Sequence, residues 1–172
     1  MSDKVEAKLV SKGEWIEIFP YGVTIGADES RPVMIFKDKS EKHVLPVWIT
    51  GQEAQIAMAQ VSGRRILNSP HELTFRYLKE KKVKIEKCLF IRIKGHHQYV
   101  EVHFKEKRQV IKIEARAEDV MSFCLHSETK FYCTIDHMNN SRKLNMEVDA
   151  MRAQMSADMP VNIIVDSEGF LN

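Results

Sequence analysis

The chain has 172 residues, 26 basic against 24 acidic side chains for a net charge of +2, and 44% hydrophobic residues. That composition excludes a disordered chain, and the length suits one domain burying roughly 70% of its unfolded surface. So balanced a charge does not by itself call for a nucleic-acid partner. Cys88, Cys124 and Cys133 sit in apolar runs and form no CxxC pair, which argues against a disulfide framework or structural zinc and for buried thiols. The N-terminus is charged and lacks an apolar signal core, and no apolar run approaches the ~18 residues of a membrane span. The expectation is a soluble cytoplasmic α+β protein without a membrane contact.

Taken in chain order, Val5, Ala7 and Leu9 alternate with polar residues, and Trp15 to Phe19 is apolar-rich. Pro20, Gly22, Gly26 and Arg31-Pro32 punctuate before Val33 to Phe36, so two or three strands are expected over 5–36. His43 to Ile49 is nearly all apolar, the pattern of a strand buried on both faces. It leads into Thr50-Gly51-Gln52-Glu53, a capping box in which the Thr oxygen takes one free N–H and the Glu reaches back to another. Ala54, Ala57, Met58 and Val61 form one helical stripe, ended by Gly63. Ser69-Pro70-His71-Glu72 is a second capping box with Pro at the first helical position. It predicts a helix to about Lys81, with Leu73, Tyr77 and Lys81 along one side and Phe75 and Leu78 beside them.

Val83, Ile85, Leu89, Ile91 and Ile93 keep a period of two with a reset near Cys88. Turns at Lys94-Gly95 and Lys105 to Arg108 separate this run from Tyr99–Phe104 and Val110–Ala115, which predicts a three-stranded antiparallel meander. Arg116 to Asp119 opens a third helix whose residues Val120 to Leu125 leave little polar face, so it should be central. Phe131 to Ile135 returns as a strand. Residues 139–141 read as the cap of a fourth helix with a stripe of Leu144, Val148, Met151 and Met155, broken by Pro160 and followed by a strand-like run from Val161 to Val165. The expected division is a domain over 1–135 and a helix–strand appendage over 136–172. A weak internal echo relates Val44–Ala59 to Val110–Leu125, each an apolar strand, an acidic junction and an apolar helix.

The junctions carry a family resemblance. Leu45-Pro46-Val47-Trp48-Ile49-Thr50-Gly51-Gln52-Glu53-Ala54 resembles the "LPIWIG…EA" segment of the bifunctional nuclease family, long catalogued as a domain of unknown function. His71-Glu72-Leu73 resembles that family's His-Asp-Leu, and Glu114-Ala115-Arg116-Ala117-Glu118-Asp119-Val120 resembles its "DARPSDA" signature, in the same order and spacing. The match covers about residues 20–135. Leu67 and Asn68 stand where the family has Arg-Pro, Glu72 where it has Asp, and Ala117-Glu118 where it has Pro-Ser. The resemblance implies an α+β fold with a mixed, strongly curved sheet, three or four helices and a homo-oligomer. It also implies a nuclease acting on DNA and RNA.

Phosphodiester cleavage needs an activated water and a stabilised phosphate, which carboxylates with Mg²⁺ or Mn²⁺, and Arg or Lys, can supply. The catalytic candidates are Asp119, Arg116, Glu72 and His71, and the candidate metal ligands are Glu53, Glu114 and Asp119. Each has a plainer role open to it. Glu53 and Glu72 complete capping boxes, and Asp119 complements a helix dipole. Arg116 could pair with Glu114, and His71 could be exposed at a helix start. The rival readings are a non-catalytic oligomeric binding or regulatory module on the same fold, and an adaptor that docks a partner through Leu144–Met155.

Overall fold

The computed structural model describes residues 13–24, 31–64, 66–67 and 69–144. The alternating stretch at 5–9, the stripe from Val148 to Met155 and the 161–165 run lie outside the described residues. The order is β1(Trp15–Thr24), β2(Val33–Asp38), β3(Val44–Trp48), α1(Gly51–Val61), α2(Pro70–Glu80), β4(Val83–Lys94), β5(His97–Glu106), β6(Gln109–Arg116), α3(Ala117–His126) and β7(Lys130–Thr134). A last helix, α4, has its described part at 135–144.

The strands form one sheet in the order β3-β2-β1-β7-β4-β5-β6. Neighbours are antiparallel except β4 and β7, which run parallel, so the sheet is mixed. It curls into a half-barrel. Two meanders, β1-β2-β3 and β4-β5-β6, flank β7, and each ends in a helix. The internal echo thus has a structural counterpart: the two outermost strands, β3 and β6, lead into α1 and α3.

The core lies inside the curl. Phe36 of β2 meets Phe90 of β4 edge-on at 5.8 Å between centroids and Phe131 of β7 at 5.0 Å. Ala54 and Ala57 on α1, and Met121 and Cys124 on α3, fill the concave side. Cys88, Cys124 and Cys133 are buried free thiols. Burial pushes the Cys88 and Cys133 thiols up, so they stay protonated and inert at neutral pH. Among the described residues no helix is long and apolar enough to cross a membrane.

Both helix caps form as expected on their Thr and Ser oxygens: Thr50 accepts the Glu53 N–H and Ser69 the Glu72 N–H, each at 3.3 Å. Three expectations differ. On α1, Met58 is exposed while Ala54 and Ala57 are buried, because only the alanines let α1 approach α3 closely. On α2, Leu73 is 73% and Tyr77 61% exposed, while Glu72 is buried, so the packed side is 71, 72, 75 and 78. His71 and Glu72 share that inner side with Phe75 and Leu78 because they find partners there, described below. Helix α4 starts at 135, ahead of the expected cap at 139–141. Thr134, the last residue of β7, accepts the His137 N–H at 3.2 Å and starts the helix directly off the strand. Met138 and Ser141 on α4 are buried.

Candidate functional site

Helix α3 is the spine of the site. Arg116, the last residue of β6, is its N-cap with extended backbone, and Glu118 and Asp119 fill its first turn, where carboxylates complement the helix dipole. The β5–β6 register pairs Tyr99 with Arg116, so two residues further His97 comes level with Glu118. A two-residue turn, Gly95-His96, brings His97 there, with Gly95 at φ +59°.

The Glu118 carboxylate is buried and enclosed by base. One oxygen lies 2.8 Å from His97 Nδ1 and 3.8 Å from Arg116 Nη1, and the other pairs with Arg31. Asp119, one residue on, is exposed. Burial lowers the His97 pKa, and the positive charges of Arg116, Arg31 and His96 push it further down against the opposing effect of Asp119. A neutral imidazole whose Nδ1 faces a carboxylate donates its Nδ1–H there and keeps the lone pair on Nε2. The arrangement can therefore take a proton at Nε2 beside two guanidiniums suited to a phosphate oxygen.

Further along α3, Asp119, Ser122, Phe123 and His126 fall at i, i+3, i+4 and i+7, on one face. The starts of α1 and α2 dock on that face. Ser122 donates to the Glu53 carbonyl at 3.3 Å, and the His71 ring lies 6.1 Å from that of Phe123. His71 Nε2 is 3.5 Å from the Glu53 carboxylate. At the far end Glu72 and His126 meet in the interior, Oε2 to Nε2 at 2.7 Å, while the other Glu72 oxygen takes Arg76 Nε at 2.7 Å. Both glutamates turn to histidines.

The structure therefore divides the candidates. Arg116 and Asp119 stand together at the start of α3; His71 and Glu53 stand about one turn further along and Glu72 about two. Arg116 faces Glu118, whereas Glu114 pairs with Arg92, which stacks on Tyr99 at 4.1 Å. Glu53, Glu114 and Asp119 do not form one cation cage: among the described residues no three His, Cys, Asp or Glu are grouped to hold a metal ion. Four residues of the site were not nominated from the sequence: Arg31, His97, Glu118 and His126. The only sequence signals were an acid inside an apolar helix start for Glu118 and an i+7 spacing from Asp119 for His126.

A mixed, curled sheet with an acid-and-base-lined strand–helix junction defines an α+β domain. The chain belongs to the bifunctional nuclease family: the family model described as "Bifunctional nuclease domain" matches residues 34–152. The match runs beyond residue 135, through the described part of α4. No curated protein matches the sequence significantly.

Proposed function

We propose that this protein hydrolyses phosphodiester bonds in RNA and DNA at the β6–α3 junction, as a homo-oligomer. The observation that carries the reading is the enclosure of Glu118 by His97, Arg116 and Arg31 beside the exposed Asp119. In this scheme Glu118 orients His97, and His97 Nε2 takes the proton of a water whose oxygen attacks phosphorus. Arg116 neutralises a non-bridging oxygen, the bond to the leaving oxygen breaks, and that oxygen is protonated by solvent. His71 and Glu72, with partners of their own, hold the starts of α1 and α2 against α3 and so position the junction. Buried free thiols suit a reducing compartment such as the cytoplasm.

The test is cleavage of labelled single-stranded RNA and DNA by wild type, Arg116→Ala and Asp119→Ala, each with Mg²⁺, Mn²⁺ or EDTA. The reading expects wild-type cleavage to fall about a hundredfold or more in Arg116→Ala. Cleavage equal in all three proteins would place the activity elsewhere. A second reading, a non-catalytic binding module on the same fold, is favoured by one observation. Glu53, Glu72 and Glu114 already hold basic partners in His71, in His126 with Arg76, and in Arg92. Absence of cleavage under every cation condition would select it.

A further inference from the structure

We propose that two copies of this chain join edge to edge through β6, antiparallel, in one register centred on Ile113. This names the surface for the self-association in the preceding reading and does not depend on cleavage. Among the described strands β6 closes one end of the sheet and pairs only with β5, so its outer row of N–H and C=O groups faces away from the sheet. Edge strands are commonly protected by proline, a bulge or shortness. β6 has none of these three, since its eight residues lack Pro and Gly and its pairing with β5 is unbroken from Gln109 to Arg116; its remaining guard is charge, at Lys112, Glu114 and Arg116, which disfavours a partner strand that does not match it. Val110, Ile111 and Ile113 are 46%, 46% and 49% exposed.

The side chains select both occupant and register. Ile111, Ile113 and Ala115 lie on the face shared with Phe104, Val102 and Val100, the core face. Val110, Lys112, Glu114 and Arg116 lie on the other face, with Lys112 3.5 Å from Glu101. A two-fold axis normal to the sheet keeps core face with core face, and then only residues of like parity oppose one another. Centring on Ile113 sets Lys112 against the partner's Glu114, twice by symmetry, while Ile113 meets itself, Ile111 meets Ala115 and Val110 at one end meets Arg116. Centring on Lys112 opposes lysine to lysine, and centring on Glu114 opposes glutamate to glutamate and Lys112 to Arg116. Centring on Ile111 sets Lys112 on Val110, and centring on Ala115 opposes Glu114 to Arg116 but overlaps only residues 114–116 of the strand. The strand is self-complementary in charge along most of its length in one of these registers.

The test uses the full chain. Wild type is examined by light scattering after gel filtration, and Ile113→Cys and Val110→Cys by mild oxidation and non-reducing electrophoresis. Directly opposed residues are about 4.5–5.5 Å apart at Cα, within disulfide range, so Ile113→Cys cross-links. The two copies of residue 110 are six residues apart along the pair, about 20 Å, so Val110→Cys does not. The native cysteines are buried and should stay silent. Lys112→Glu and Glu114→Lys should each weaken the dimer on the order of tenfold, and combining them should restore it. A monomeric wild type, cross-linking of Val110→Cys as readily as Ile113→Cys, or charge variants that leave the dimer unchanged would overturn the proposal. Circular dichroism checks that each variant is folded. Cleavage assayed on the same samples separates the readings: an inactive dimer sinks the nuclease and keeps the interface, and an active monomer sinks the interface and the homo-oligomer and keeps the cleavage.

Discussion

Replacing Glu118 by Gln keeps the shape of the side chain and removes its charge from between Arg31, Arg116 and His97. Breaking a buried ion pair by removing one partner costs about 3–5 kcal/mol, whereas an exposed pair is worth about 0–1. Glu118 is 8% exposed, but Arg31 and Arg116 reach solvent and can rehydrate, and the Gln carbonyl still accepts from His97. These offsets bring the expected loss to about 2 kcal/mol. For a chain of this size that lowers the melting temperature by about 4–8 °C. The assay is reversible thermal melting followed by circular dichroism at neutral pH. An unchanged melting temperature would mean that Glu118 is not held as described. A rise would mean that desolvating the carboxylate outweighs its three partners, and would equally refute the reasoning.

Three further outcomes are expected. His126→Ala should cost about 2 kcal/mol by removing the buried partner of Glu72 Oε2 while Arg76 stays on the other oxygen, and a double-mutant cycle with Glu72→Gln should give a coupling of about 1 kcal/mol or more in denaturant melts. Because the His97 pKa is lowered, its base form is retained at neutral pH, so cleavage should rise through a limb below the ordinary histidine value of 6.5 and be flat above it; a limb above 6.5 would contradict this. Asp38 is held well below the ordinary carboxylate value of 3.8, chiefly by the Ser40 hydroxyl and the His43 backbone N–H. Its stabilisation is therefore present above that value and lost as pH falls toward the folded pKa, so Asp38→Asn should flatten the acid side of the stability–pH curve.

Local chemistry made much of the fold legible. Thr50 and Ser69 announce the starts of α1 and α2, and the period-two runs from Val83 to Ala115 give the meander, because caps and alternation act over a few residues. The reset seen near Cys88 corresponds to register shifts between Ile85 and Lys87 and between Phe90 and Arg92. The packed side of α2 was not legible. Leu73 and Tyr77 point outward although Phe75 and Leu78 pack inward, and the helix turns Glu72 in with them because His126, 54 residues later, waits for it. The site was half legible for the same reason. Arg116 and Asp119 stand in a recognisable junction, but His97 and Arg31 reach Glu118 only through strand register and curvature, which no local pattern encodes.

The central claim is that His97, oriented by Glu118, acts at the β6–α3 junction, and the most direct test is His97→Gln. Single-stranded RNA and DNA cleavage would be measured for wild type and His97→Gln in the same buffer, with melting curves showing both folded. The account predicts that wild type cleaves and that the variant retains its fold but loses cleavage about a hundredfold or more. A folded His97→Gln protein cleaving at the wild-type rate would contradict it.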